Sequence, residues 1–192
     1  MKKFLVFGVI LFLFAGIASF AQDKQNSEHM FRIGFGPDVY RNKHLGTKEG
    51  GLILNFAVGD GNGYFRKIVT INSSVRANLL SAGYETDFYF KHFFVGPGVM
   101  LNRWQDNVPN PVPENSNLKN IKPGKWIDYT LVPYLGFGFE SPSLNDPLEE
   151  GLGIFFTYRI GNVAWGHNNQ TENHKSEFNR YGSWIMGLYY KF

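Results

Sequence analysis

The 192-residue sequence has no cysteine, 19 Lys and Arg against 16 Asp and Glu, and a formal net charge of +3, to which Lys2 and Lys3 contribute. That balance gives no support to nucleic-acid binding, and the absence of cysteine excludes a disulfide framework or a lipid-modified cysteine. Aromatic residues at 17% beside 22 Gly are a heavy load for a soluble domain, and no apolar run beyond the amino-terminal one is long enough for a transmembrane helix, so any further membrane crossing must be made by strands.

Lys2 and Lys3 precede an uncharged apolar run over residues 4–14 and a small-residue stretch over 15–21. Ser19-Phe20-Ala21 fits a small-x-small cleavage site before Gln22, so residues 1–21 read as a secretory signal peptide rather than a retained anchor. Residues 22–28 form a short polar leader, and 29–192 are expected to be one domain.

Alternation of apolar and small or polar side chains, the mark of an extended strand, then recurs along the chain. Strand one, over 29–40, sets Phe31, Ile33, Phe35 and Val39 against Arg32, Gly34, Gly36 and Asp38. A charged loop leads to strand two, over 51–59, with Leu52, Leu54, Phe56 and Val58 opposite Ile53, Asn55 and Ala57. Asp60-Gly61-Asn62-Gly63 supplies residues that tolerate positive φ in a hairpin turn, and lacks the further ligands of a calcium loop. Strand three, over 64–73, has two mixed faces. Strand four runs to Phe90, with Leu80, Ala82, Tyr84, Thr86 and Phe88 opposing Ser81, Gly83, Glu85 and Asp87.

After a minimal turn at Lys91-His92, strand five over 93–105 opposes Phe93, Val95, Val99 and Leu101 to Gly96, Gly98, Asn102 and Trp104. Residues 106–125 hold four prolines among Asn and charged residues and read as a long exposed loop. Strand six, over 126–139, alternates most cleanly, with Ile127, Tyr129, Leu131, Leu135, Phe137 and Phe139 on one face and Asp128, Thr130, Gly136 and Gly138 on the other. Residues 140–147 form a turn. Strand seven, over 149–162, sets Leu152, Ile154, Phe156, Tyr158 and Ile160 opposite Gly153, Thr157, Arg159 and Gly161, and 163–180 is a second long polar loop.

The final stretch, 181–192, places Trp184, Met186, Leu188, Tyr190 and Phe192 on one face. A strand with so apolar a face at a free edge would invite aggregation in water, a hazard removed when the strand closes a barrel in a bilayer. Its ending resembles the carboxy-terminal assembly signal of bacterial outer-membrane β-barrel proteins, and the whole of 29–192 resembles the small OmpA/OmpX-like group. That resemblance implies a closed eight-stranded antiparallel up-and-down transmembrane barrel in the bacterial outer membrane, with both termini periplasmic. It also implies recognition by the barrel-assembly machinery and contact with outer-membrane lipid and lipopolysaccharide. Short connections after strands two and four and long ones after five and seven agree with the turn-and-loop asymmetry of such barrels.

A soluble lipocalin-like carrier could show the same alternation with its apolar side inward, but its other face should then be rich in Lys, Glu, Asp and Gln. Here that face is Gly, Ser, Thr and Asn with single charges, which suits a narrow packed lumen and not an open pore. The apolar set is therefore expected to face lipid, and Glu85, Asp87 and Asp128 to meet Arg32 and Arg159 across the lumen, because unpaired buried charges are costly. Aromatic girdles are expected from Tyr129, Trp184, Trp126 and Trp165 at the outer rim, and from Phe88, Phe90, Phe93, Phe139, Tyr190 and Phe192 at the periplasmic rim.

Some outer-membrane barrels of this size modify lipid A, and their deacylases carry His-x-Ser-Asn near the carboxy end. His174-Lys175-Ser176-Glu177 resembles that element, and a Ser nucleophile beside a His base is sound acyl-transfer chemistry. Glu177 stands where that family has Asn, and no acid follows in the last strand, so a solvated loop is the better account. His167, His174 and Glu177 do not share a metal-ligand spacing, and His29, His44 and His92 read as rim or turn residues. No cofactor is expected. The leading expectation is a non-enzymatic barrel with a structural or adhesive role, any extracellular ligand meeting loops 106–125 and 163–180.

Overall fold

A computed structural model describes residues 28–42, 48–62, 64–74, 78–108, 124–142, 151–169 and 178–192. The expected signal peptide, the leader up to residue 27 and most of both long loops lie outside the described residues. The strands are β1 (Glu28–Asn42), β2 (Lys48–Gly61), β3 (Phe65–Ser74), β4 (Asn78–Phe90), β5 (Phe93–Val108), β6 (Gly124–Glu140), β7 (Gly151–Asn162), β8 (Trp165–Asn168) and β9 (Phe178–Lys191).

Each strand pairs antiparallel with its neighbour, β5 pairs with β6, and β1 pairs with both β2 and β9, so the sheet closes on itself. β7 and β8 share one position in the wall, because both pair with β6, at Tyr134–Glu140 and Asp128–Leu131 respectively. The wall is therefore a closed eight-stranded antiparallel barrel. Closure leaves no free edge along most of its length: β9 is hydrogen-bonded to β7 on one side and β1 on the other, and Phe192 and His29 exchange backbone hydrogen bonds of 3.0 Å.

Burial follows the alternation. Phe31, Ile33 and Phe35 are exposed while Arg32, Gly34 and Gly36 are buried, and the same period of two holds in β2, β4, β6, β7 and β9. The large apolar side chains face outward, Phe35 and Met186 with 52% and 53% of their surface exposed. One end of the barrel carries the short connections at 62–64 and 91–92 together with Glu28 and Phe192; the other carries the connections at 43–47, 75–77, 109–123 and 170–177. We call these the turn end and the loop end.

Several elements differ from expectation. Residues 163–180 are not loop throughout: Trp165–Asn168 pairs with β6, and β9 begins at Phe178. The partner strand is long enough to hold these backbone groups, and a hydrogen-bonded ladder outweighs the polar composition that suggested a loop. For the same reason β5 reaches Val108, β6 starts at Gly124, and Glu140 ends β6 instead of opening a turn. The lumen also holds large apolar groups, including Ile53, Ile68, Met100, Val132, Phe155 and Ile185, because so narrow a barrel has to be filled by side chains. Inward glycines admit the largest of them: a Cβ at Gly98 would strike the Tyr134 ring, and one at Gly153 the Tyr189 ring.

Candidate functional site

The most elaborate constellation is inside the turn end of the barrel, where inward positions of five strands converge. Glu140, the last residue of β6, accepts from Arg32 of β1, from Arg66 Nη1 of β3 at 3.1 Å and from the Tyr89 hydroxyl of β4 at 2.8 Å, and it lies 3.1 Å from Lys191 Nζ of β9. The Tyr89 oxygen in turn accepts from Arg32 Nη2 at 2.7 Å and Arg66 Nη1 at 3.2 Å. Arg66 Nη2 donates to Glu28 at 2.6 Å, closing the cluster towards the end of the barrel. Strands β1, β3, β4, β6 and β9 are thereby tied across the lumen, a connection the wall's own ladder does not supply.

Arg32 is 1% exposed and also lies 3.5 Å from Asp87, with its guanidinium carbon 5.0 Å and 5.2 Å from the Phe94 and Phe155 ring centres. Cation–π contact of this kind lets a charge sit among aromatic groups without bulk water. Deeper in, Arg159 Nε donates to Glu85 Oε2 at 2.9 Å, and the guanidinium lies 5.3 Å from the Tyr134 ring centre. The structure thus brings Arg32 to Asp87 and Arg159 to Glu85. Asp128 stands elsewhere: it is eight residues along β6 from Gly136, the register partner of Arg159, a separation of roughly 26 Å at about 3.3 Å per residue, and Asn168 Nδ2 donates to it at 3.3 Å.

Sequence reasoning missed Glu140, Arg66, Glu28 and Tyr89, all joined to this network. Lys191, on the face opposite Tyr190 and Phe192, joins it as well. The usable signal was parity: Glu28 and Arg32 are four apart, and Glu140 continues the inward series from Gly136 and Gly138.

Towards the loop end the lumen changes character. Asn55 Nδ2 donates to Thr70 and Asn72 at 2.6 Å each, and Asn102 Nδ2 to Thr130 at 3.0 Å. Tyr40 packs edge-on against Trp104 at 4.9 Å and at a tilt against Tyr181 at 5.0 Å. Polar rungs and aromatic rings together fill this part of the tube.

On the outer wall, Trp184, Met186, Leu188, Tyr190 and Phe192 of the terminal strand are all exposed. Phe88, Phe90, Phe93, Tyr190 and Phe192 are exposed near the turn end, and the Phe139 ring lies 5.4 Å from that of Phe93. Trp165 and Tyr129 face outward in the loop half. Trp184 does not reach a rim: it stands midway along β9 and packs against Phe156 and Tyr158 at 5.6 Å and 4.6 Å, because its place is fixed by the β7–β9 register. The Trp126 side chain lies outside the described residues.

His174, Ser176 and Glu177 lie outside the described residues, as does His44. His29 Nδ1 is 3.2 Å from Asp60, and His92 occupies the tight turn beside Phe139. Among the described residues no group of three or more His, Cys, Asp or Glu is placed to hold a metal ion.

No protein-family model matches the chain, and no curated protein matches it in sequence. Among solved structures it is similar to the crystal structure of Neisserial surface protein A, with a TM-score of 0.57 and 13% identity over 85% of this chain and 97% of that chain. The likeness is one of fold.

Proposed function

We propose that the chain is an integral barrel of the bacterial outer membrane with a structural, non-enzymatic role, presenting its long connections at one surface for binding or adhesion. The observation that carries this reading is the inversion of the barrel: exposed Phe, Leu, Ile and Val outside, and buried, cross-linked Arg, Glu and Asp inside. A water-soluble barrel has the opposite arrangement, and a lipocalin-like carrier needs an apolar cavity where this one has ion pairs. In hydrocarbon the closed ladder satisfies the backbone and the apolar exterior needs no cover.

In this reading residues 1–21 direct export and are removed, the turn end and both termini are periplasmic, and the loop end is outside the cell. The terminal strand is what the barrel-assembly machinery recognises. Residues of 106–125 and 163–180 beyond the strands offer the surface for an extracellular ligand. Membrane fractionation combined with gel mobility before and after boiling tests the proposal: the protein should sediment with outer membranes and run as a compact band that shifts on heating. A freely soluble periplasmic protein without such a shift would refute it.

A further inference from the structure

We infer that the lumen holds a buried water site that bridges Asp38 and Arg159 past Ser183, beside the seam where the first and last strands close the barrel. Asp38 of β1 is the register partner of Ser183 of β9, and Ser183 of Arg159 of β7. The three form one inward row, roughly 10 Å long at about 4.8 Å per strand. Asp38 and Ser183 are 0% exposed and Arg159 1%. Arg159 uses Nε on Glu85, at 2.9 Å. Its Nη1, the Ser183 hydroxyl and both Asp38 oxygens complete no hydrogen bond among the described residues. Tyr181 and Arg159 stand near enough to act on Asp38, yet neither closes a hydrogen bond on it. A guanidinium nitrogen only donates, a carboxylate oxygen accepts and a hydroxyl does both, so these groups together are complementary to water. Buried polar groups without partners are costly, and an ordered water making about three hydrogen bonds is the usual remedy. A metal cation fits less well, because Nη1 would oppose it.

The backbone gives a second, independent reason for a bridge at this level. The β1–β9 ladder pairs Phe35 with Met186 and next Asp38 with Ser183, leaving Gly36 and Pro37 without rungs. Pro37 has no N–H to contribute. A like gap interrupts the β4–β5 ladder at Gly96 and Pro97, and there the inward acid beside it, Asp87, lies 3.5 Å from Arg32. At the β1–β9 gap the corresponding acid, Asp38, reaches no arginine directly, and water supplies the link. Small residues flank Asp38 on both sides, Gly51 opposite it on β2 and Ser183 opposite it on β9. Tyr40 and Tyr181, with ring centres 5.0 Å apart, stand next along the same two strands towards the loop end. The bridge ties β1, β9 and β7 on the lumenal side where the backbone ladder is interrupted.

The test is nuclear magnetic resonance of the perdeuterated, 15N-labelled barrel in detergent micelles, reading transfer from water to the backbone amides of Asp38, Ser183 and Arg159. A resident water gives cross-peaks of opposite sign in laboratory-frame and rotating-frame spectra, whereas passing solvent gives the same sign in both. The chain should show the first pattern at all three amides. Ser183→Ala and Tyr181→Phe, which remove the hydroxyl protons that could relay such a signal, should keep it, and Ser183→Val, which fills the space, should abolish it. Peaks that are missing or of the transient kind in the unaltered chain, or that vanish in both hydroxyl-free variants, would overturn the site even if Ser183→Val does not fold. The same holds for peaks that persist in a folded Ser183→Val barrel. Amide hydrogen exchange reads the consequence for closure: in Ser183→Val, Val39 and Gly182 beside the gap should exchange about tenfold faster, with Val58 and Val69 of the β2–β3 ladder unchanged. Equal change in both ladders, or none, would contradict the bridging role.

Discussion

Glu140 is the residue on which most of the lumenal charge converges. With Arg32, Arg66 and Lys191 all placed on one carboxylate, removing it leaves three cations facing each other, two of them buried, with Asp87 beside Arg32 and Glu28 beside Arg66 to offset part of the charge. Breaking a buried ion pair by deleting one partner costs about 3–5 kcal/mol, more than the pair itself contributes relative to an apolar replacement. Glu140→Ala should therefore destabilise the barrel by about that amount in urea unfolding from lipid vesicles, with Glu140→Asp intermediate. Little of this hub was legible beforehand. Glu140 follows a strand whose end is not fixed by composition, Arg66 sits in β3, where both faces are mixed, and Glu28 closes a polar stretch that reads as a leader. Each charge owes its role to being the outermost inward position at one end of its strand, the first in β1 and β3 and the last in β6, and sequence periodicity is least informative there.

Strand alternation was far more legible than strand contacts. The inward and outward sets of β1, β2, β4, β6 and β7 follow directly from a period of two, because a one-residue slip would turn every apolar side chain into the lumen. Register between strands is a property of pairs and is not written in either strand alone, so Asp128 was grouped with arginines that stand far along the wall. β8 escaped notice because four residues, with Trp165 and His167 outward and Gly166 and Asn168 inward, are too few to stand out in a polar stretch. The terminal strand is the element whose two ladders close the wall, and its last residue is hydrogen-bonded to His29. Deleting Phe192 should lower the amount of assembled, heat-shiftable barrel in the membrane while leaving export to the periplasm unchanged. Unchanged assembly would remove the role assigned to that ending.

For the molecule as a whole, the account depends on which solvent meets which face. Leu54, midway along β2 and exposed on the outer wall, makes the point energetically: Leu54→Arg should cost about 2–4 kcal/mol in a bilayer, against roughly 0.5 kcal/mol or less on a water-facing surface. The absence of cysteine allows a more direct reading, since single cysteines can be introduced and spin-labelled without background. Labels at outward positions 54, 154 and 188 and at inward positions 70, 81 and 157, in protein reconstituted into bilayers, should be measured for collision with oxygen, which partitions into lipid, and with a water-soluble nickel chelate. The account predicts high oxygen accessibility and chelate exclusion at 54, 154 and 188, with low accessibility to both at 70, 81 and 157. Chelate access at the outward set, or the two sets exchanging their behaviour, would contradict it.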